Sequence, residues 1–311
     1  MRPQRTFSQS SQKRTRRLLR AGGFTLVEMM VVIIIILALA ALLLPALQRA
    51  KARAEEARIL VEIKQLQLAC ENFKTTYGAY PPVGIAYPGE SGTIRVNRIR
   101  AFIQRAFPRY AAPAGTYNSV VNTLAGLTPA ESLVFWLGGM PTLNVGRGVE
   151  GFSKDPSNPF GTTSIGRITA WAVPTATQRT APFFEFDTTR LVHRENRSDF
   201  WEYIPEGRTT PYAYFRADNY WSAAAGVQGS RTYSTATGFA VPYRTSTGVA
   251  TDPQVWASPN TFQIICAGVD ENFGADATTP RIFPAATGYS AADEDNLTNF
   301  APQGSLGSQR P

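Results

Sequence analysis

The sequence predicts an α+β protein in which one long N-terminal helix is followed by a domain of short strands and long loops. Three observations support this fold class. Residues 24–47 form an almost uninterrupted apolar run, residues 48–77 carry apolar side chains at helical spacing among charges, and the rest is rich in Gly, Pro, Thr and aromatic residues. A hydrophobic fraction of 43% is enough to build a core, which excludes wholesale disorder.

The apolar run from Phe24 to Leu47 contains a single charge, Glu28. A helix of 24 residues is about 36 Å long, which is enough to cross a bilayer. The preceding block is strongly basic, so the positive-inside rule keeps residues 1–23 in the cytoplasm. A secretory signal has small residues after its apolar run, whereas here Gly22 and Gly23 come before it.

The same helix is predicted to continue to Tyr77. Beyond Gln48 the apolar side chains recur at intervals of three and four residues, at Ile59, Ile63, Leu66, Cys70, Phe73 and Tyr77. Gly78, Pro81 and Pro82 then provide a stop. We expect this stripe to pack on the soluble domain. A free coiled coil is the weaker alternative, because about three heptads lack sustained charge pairing at the flanking positions.

The soluble domain gives fewer signals. Pro129 to Leu137 is the one clear helix candidate, with Thr128 as its N-cap. Two strand candidates are Thr169 to Val173 and Phe183 to Phe186. We further expect a mobile loop over 222–251, which is dominated by Ser, Ala, Thr and Gly, and a disordered tail over 301–311.

The formal net charge of +8 lies almost entirely in the leader. Residues 1–23 hold seven basic groups and no acid, which leaves 24 basic against 23 acidic groups in residues 24–311. This balance argues against a broad polyanion-binding surface. We therefore expect no further basic cluster and no nucleic-acid partner for the body. One His and two Cys exclude most metal sites built from these residue types.

The N-terminal arrangement resembles the class III signal of type IV prepilins and type II secretion pseudopilins. A basic leader is followed by Gly23, Phe24, the sequence TLVE and a long aliphatic helix. This resemblance implies cleavage between Gly23 and Phe24 by a prepilin peptidase and methylation of the new amine on Phe24. It also implies a single-pass inner-membrane protein with a periplasmic C-terminal domain, whose long helix packs on an antiparallel sheet. Glu28 and Pro45 stand where the family usually carries these residues.

Glu28 needs a cationic partner, because an ionised carboxylate in hydrocarbon is costly. The family's partner is the α-amine of a neighbouring subunit, here on Phe24, in a stacked filament. A Glu that snorkels to water is the alternative. Pro45 lacks the amide donor and clashes with the carbonyl of Ala41, so it is expected to kink or loosen the helix, although a merely tolerated proline is also open.

Three C-terminal segments resemble the major pseudopilin of type II secretion: Pro211 to Phe215, Phe262 to Gly274 and Asp293 to Phe300. In that family the loop between such segments binds calcium. The resemblance implies calcium ligands here, with Asp270, Asp276 and Asp295 as first choices and Asp293 beside them. A solvated acidic loop is the alternative. The stretch 83–207 is a large loop-rich insertion with no counterpart in the family.

Cys70 lies on the apolar stripe of the helix, and Cys266 alternates with Phe262 and Ile264 on one face of a predicted strand. Both cysteines are expected to face the same core. A disulfide between Cys70 and Cys266 and two buried free thiols are both compatible with this placement.

No motif for a catalytic nucleophile, a phosphate loop, a dinucleotide or a metalloprotease occurs. The only histidine, His193, stands in a charged segment without a nucleophile signature. We therefore predict a non-enzymatic subunit of a type II secretion pseudopilus or type IV pilus-like filament, with further copies of itself, prepilin peptidase, the assembly machinery and the lipid bilayer as partners. The alternative is a pilin-anchored surface module that binds a ligand through the insertion, and a membrane-anchored enzyme is the least supported hypothesis.

Overall fold

The computed structural model describes residues 24–84, 92–142, 148–161, 178–194, 200–222, 229–230, 233–235, 238–248, 252–274 and 281–309. The chain divides after Ala52 into an N-terminal segment and a compact body that begins at Arg53. Helices and small antiparallel sheets both occur, as the predicted α+β class requires.

The first helix, α1, runs without interruption from Leu26 to Tyr77. The expectation of one long helix over both sequence regions is confirmed. Pro45 lies inside α1 and does not end it. The stop is Gly78, whose φ of 75° is left-handed and whose amide bonds to the carbonyl of Lys74 at 2.7 Å. A left-handed residue at this position is favoured by glycine and closes the last turn.

Within the body, the predicted apolar stripe of α1 is buried. Ile59, Ile63, Leu66, Cys70 and Phe73 are each at most 4% exposed and belong to the larger hydrophobic core. Tyr77 is half-buried at the end of the stripe, with its ring 4.7 Å from that of Phe73. This part of the helix therefore contributes one side of the core of the body.

Three more helices follow: α2 (Gly92–Ala106), α3 (Ala114–Leu124) and α4 (Pro129–Gly138). Of these three, the sequence predicts only α4. Its Thr128 cap is confirmed, with the Thr128 hydroxyl and the Glu131 carboxylate forming a capping box. The expectation that the insertion is mostly loops is corrected by α2 and α3. The apolar residues Ile99, Phe102 and Ile103 of α2 share one buried face, which is a helical spacing that the sequence already contained.

The described strands are short and pair antiparallel. They are β1 (Leu191–Val192), β2 (Glu202–Tyr203), β3 (Ala213–Arg216), β4 (Trp221–Ser222), β5 (Gly229–Ser230), β6 (Tyr233–Thr235), β7 (Gly238–Ala240), β8 (Phe262–Cys266) and β9 (Leu297–Thr298). The central sheet has the order β3-β8-β9, with Ala213 opposite Ile265 and Cys266 opposite Leu297. The two strand segments noted in the pseudopilin resemblance, near 211–215 and 262–266, thus pair directly.

Three other expectations have different outcomes. Residues 183–186 form no strand, and 169–173 lie outside the described residues. The described parts of 222–251 include the hairpin of β6 and β7. The segment from Ala301 to Gln309 is not a free tail, because Leu306 is 1% exposed and its amide bonds to the carbonyl of Asn296 at 3.0 Å.

Candidate functional site along the long helix

The N-terminal turn of α1 contains the predicted processing and assembly residues. Thr25 precedes the helix and forms a capping box with Glu28: the Thr25 amide donates to Glu28 Oε2 at 3.3 Å, and the Glu28 amide donates to Thr25 Oγ1 at 3.1 Å. Phe24 is 80% exposed, and Gly23 lies outside the described residues. The Glu28 carboxylate is thus held in the first turn, where the helix dipole favours negative charge.

The apolar residues that follow are exposed in the described part of the chain. Large hydrophobic side chains between Leu26 and Leu47 are 46–76% exposed. By length and composition, the described chain has one helix that could span a membrane, and it is α1. In water this exposure would be very costly, so the segment has the properties of a helix that crosses a membrane or packs against other apolar helices.

Glu62, on the body half of α1, is the centre of a polar network that sequence reasoning missed. Arg190 forms a bidentate pair with it, with Nη1 to Oε1 at 2.7 Å and Nη2 to Oε2 at 2.5 Å. The hydroxyls of Tyr203 and Tyr212 donate to the same carboxylate at 2.9 and 2.5 Å. We call these four residues the Glu62 clamp. The side chains of Glu62 and Arg190 are only 15% and 17% exposed, so water competes weakly for the pair.

Three separate elements bring the partners of Glu62 to the helix. Arg190 ends a short 3₁₀ helix that Asp187 caps, Tyr203 lies in β2, and Tyr212 directly precedes β3. Burial, with the charge of Glu62 as a further cause, raises the pKa of both tyrosines above their ordinary value. Both phenols therefore stay protonated and donate to Glu62, which fixes this part of α1 to the sheet region of the body. No spacing in the sequence connects residues so far apart along the chain.

Cys70 and Cys266 are both buried and both free. The disulfide considered from the sequence is not formed, and the buried-thiol alternative describes the structure. Burial raises the pKa of each thiol well above its ordinary value, so both remain protonated. Cys266 donates to the carbonyl of Ala267 at 3.2 Å. The two residues act as small apolar side chains in the core.

The acidic residues proposed as calcium ligands separate into two groups. Asp295 Oδ2 accepts from the Asp270 amide at 3.0 Å, so these two residues are neighbours. Asp293 is 1% exposed and instead pairs with Arg281 at 3.0 Å, while it also accepts from Tyr243 and Ser290. Because its charge is already neutralised inside the core, Asp293 is a poor ligand. Asp276 lies outside the described residues.

The fit of the remaining pair to a cation is partial. Asp295 Oδ1 and Asn296 Oδ1 are buried atoms without a hydrogen-bond partner in the described part of the chain. Burial, and to a smaller extent the charge of Asp270, raise the pKa of Asp295. A bound cation would give the two oxygens a partner and would favour the ionised form of Asp295. The described residues alone contain no group of three His, Cys, Asp or Glu side chains that could hold a metal, and calcium requires six to eight oxygens.

A cavity of 440 Å³ lies between the insertion and the sheet region. Its described lining includes His193, Arg194, Glu202, Thr210 and Tyr233. This volume is in the range that holds a small molecule. The cavity therefore gives the alternative hypothesis, ligand binding, a physical location.

Glu202 is the chemically unusual residue of this cavity. It is 3% exposed, and it accepts from Thr128 Oγ1 at 3.0 Å. Burial and the nearby Glu131 raise the pKa of Glu202 to about 7. The Nδ1 atom of His193 forms a hydrogen bond with the carbonyl of Phe200 at 2.9 Å. The imidazole ring stacks on Trp201, with the ring centres 3.6 Å apart. These contacts give His193 a packing role.

Comparison of the chain with models of protein families, with curated proteins and with solved structures produced no match.

Proposed function

We propose that the chain is a structural subunit of a pilin-like filament, of the type II secretion pseudopilus or type IV pilus kind, anchored in the inner membrane until it assembles. The observation that carries the proposal is the uncovered apolar half of α1 with Glu28 as its only charge up to Leu47. A helix of this kind needs both a lipid phase and a specific cationic partner. The class III leader pattern supplies that partner through processing.

In this proposal, cleavage after Gly23 places a new α-amine on Phe24, one residue before the Thr25 cap. A methylated amine keeps its positive charge, so it can pair with the Glu28 carboxylate of an adjacent subunit. The capping box holds Glu28 in the first turn before assembly. The pairing removes the cost of an unpaired charge in hydrocarbon, and the apolar side chains of residues 29–47 then pack between subunits.

The Glu62 clamp gives the body its part in such a filament. It fixes the body half of α1 to the sheet region through an ion pair and two phenol hydrogen bonds. Any load on that part of the helix would pass to the body through these bonds. A structural subunit needs such a connection, whereas a lipid anchor for a free domain does not.

Calcium is a second part of the proposal. Asp270 and Asp295 would hold the ion, with Asp276 as a further ligand and without Asp293. The support is Asp295 Oδ1, a buried atom without a hydrogen-bond partner among the described residues, beside the Asp270 loop. Calcium would order this loop against the start of β9 and neutralise two carboxylates. Isothermal titration of the full chain in detergent should show one site that Asp295→Asn removes and Asp252→Asn leaves unchanged.

The test of the filament function combines processing and incorporation in the native host. Mass spectrometry of the N-terminal peptide should find a chain that starts at Phe24 with one methyl group, and an intact leader in a strain without prepilin peptidase. Glu28→Ala should reduce incorporation into sheared filaments at least tenfold while processing continues. Glu206→Ala is the matched control, because it removes a carboxylate whose side chain is 71% exposed.

Two outcomes would contradict the filament function. An intact leader in both strains would make the N-terminus a plain signal anchor. Normal incorporation of the Glu28→Ala chain would remove the charge pair from the mechanism.

The 440 Å³ cavity favours one second function, a displayed ligand-binding module. Arg194 and Glu202 would select a small polar molecule with both an acceptor and a donor. Deleting the insertion is a poor test, because α4 lies entirely in the core. Thermal shift of the full chain against a panel of amino acids and monosaccharides is sharper. A ligand whose stabilisation disappears in Arg194→Ala, with filament incorporation unchanged, would support this function.

A further inference from the structure

Two oppositely charged segments lie within the nearly neutral body. Residues 92–130 contain five arginines and no acidic residue, whereas residues 252–309 contain seven acidic residues and one arginine. The expectation of no further basic cluster is therefore wrong for the first segment. The two segments cancel when charge is summed over the whole body, so the overall balance conceals them.

The first segment forms a basic surface on α2 and the turn that follows it. Its members are Arg95, Arg98, Arg100, Arg105 and Arg109, and each is half-buried or exposed. Within the described ranges Arg95, Arg105 and Arg109 have no acidic side chain in ion-pair distance. Ile94 is 49% exposed beside them. It shares a helix face with Arg98 and Arg105, four and eleven residues further along.

The second segment forms an acidic surface at the loop after β8. Asp270, Glu271, Glu294 and Asp295 make up this surface, and the 3.0 Å bond from the Asp270 amide to Asp295 joins its two halves. Val269, at its edge, is 50% exposed. Asp293 does not belong to it, because its partner Arg281 is inside the core.

The two surfaces lie at opposite ends of the body half of α1. At one end, Phe102 of α2 stacks on Phe73 with ring centres 6.1 Å apart. At the other end, Arg208 joins the acidic loop to the helix, with 3.2 Å to the carbonyl of Val269 and 3.4 Å to Glu55. Eighteen residues of helix separate Glu55 from Phe73, which is about 27 Å. The basic surface lies near Phe73, at the end of the body half of α1 that is farther along the chain from the apolar segment.

We propose that the basic surface of one subunit docks on the acidic surface of a second copy of the chain. Opposite charges at opposite ends make a heterologous contact, which repeats as an open filament rather than closing as a dimer. Arginine suits this role because its planar fork binds a carboxylate with two parallel hydrogen bonds. Ile94 and Val269 add one apolar side chain from each partner. This inference rests on the proposed filament function and assigns part of the insertion to assembly.

Cysteine cross-linking in host membranes tests the contact directly. The full chain with both Ile94→Cys and Val269→Cys should form a ladder of disulfide-linked multimers under mild oxidation. Cys70 and Cys266 are buried and should not react. The ends are too far apart for a disulfide within one chain, which requires Cα atoms within about 7 Å. The ladder should weaken in 1 M salt, where the screening length is about 3 Å.

A charge swap makes the test specific. In the cross-linking chain, Arg95→Glu with Arg105→Glu should reduce the ladder about tenfold, and so should Asp270→Lys with Glu294→Lys. Mixing these two variants should restore it, because each then offers the charge that the other lacks. Lys154→Glu with Asp252→Lys is the control outside both surfaces, and it should leave the ladder unchanged.

The outcomes separate this inference from the filament function. A ladder that survives both reversals, in chains that are processed to Phe24 and assembled, would overturn the docking contact and leave the filament function intact. Failure of the unaltered chain to process or assemble would remove the filament function itself. A ladder unaffected by the arginine reversals, together with their loss of binding to duplex DNA, would assign the basic surface to a polyanion and overturn the inference.

Discussion

The two halves of α1 belong to one uninterrupted helix but meet different surroundings. From Leu26 to Leu47 the large apolar side chains are 46–76% exposed, whereas the apolar stripe from Ile59 to Phe73 is at most 4% exposed. The first half has a single charge, Glu28, while the second half carries the Glu62 clamp. The continuity of a helix therefore does not tell whether its side chains face lipid, water or the protein core. The distribution of apolar side chains around the helix determines its environment. They lie on all sides of the first half and on one stripe of the second.

The largest expected effect comes from separating the halves. A chain that starts at Arg53 should be fully soluble and folded, whereas the full chain should remain with membranes after carbonate extraction. The reason is that the second half buries its stripe in its own body, so it does not need the first half. Centrifugation and circular dichroism on both chains measure this. A fragment that aggregates or unfolds would show that the two halves are not independent.

Within the second half, the stripe should be far more sensitive than the outer face. Phe73 is completely buried among aromatic rings, so Phe73→Ala should lower the free energy of unfolding by about 4 kcal/mol. Leu68 is 61% exposed on the same helix, and Leu68→Ala should change it by less than about 0.5 kcal/mol. Tryptophan fluorescence can follow the urea unfolding of the full chain in detergent, since all five tryptophans lie after residue 53.

Equal effects of these two substitutions would contradict the burial difference. They would mean that lipid or another subunit covers the outer face as tightly as the body covers the stripe.

The Glu62 clamp should matter less than Phe73 and more than a surface pair. Glu62→Ala leaves Arg190 charged and half-buried and removes the acceptor of two phenols, so we expect a loss of about 3 kcal/mol. Arg58→Ala, at an ion pair whose side chains are 72% and 71% exposed, should cost at most about 1 kcal/mol. The same unfolding assay compares them. A cost for Glu62→Ala no larger than for Arg58→Ala would show that the clamp does not hold helix and body together.

How far the sequence predicts each feature depends on the range of the signal. The stripe of α1, the Thr128 cap of α4 and the strand near 262–266 are local patterns, and the structure contains all three. The Glu62 clamp joins residues 128 to 150 positions apart, which no local pattern encodes. The buried pair of Asp293 and Arg281 shows the same limit. Asp293 and Asp295 are identical residue types two positions apart, and only tertiary packing places the first in a core ion pair and the second in a loop.

The smallest predicted effect concerns the buried carboxylate of Glu202. Glu202 has its pKa raised to about 7 from an ordinary value of 4.5, so the folded chain binds its proton more tightly than the unfolded chain does. Stability should therefore fall as pH rises from about 4.5 to about 7 and stay level above that. Glu202→Gln keeps a carbonyl that can accept from Thr128, so it should remove this dependence and stabilise the chain by roughly 2 kcal/mol at pH 8. Urea unfolding at pH 5 and pH 8 measures both effects. Glu62→Gln is the contrasting control, because the Glu62 carboxylate is paired with Arg190. It should destabilise the chain at pH 8. If both substitutions stabilised the chain, the ion pair with Arg190 would not offset the cost of burying the Glu62 carboxylate.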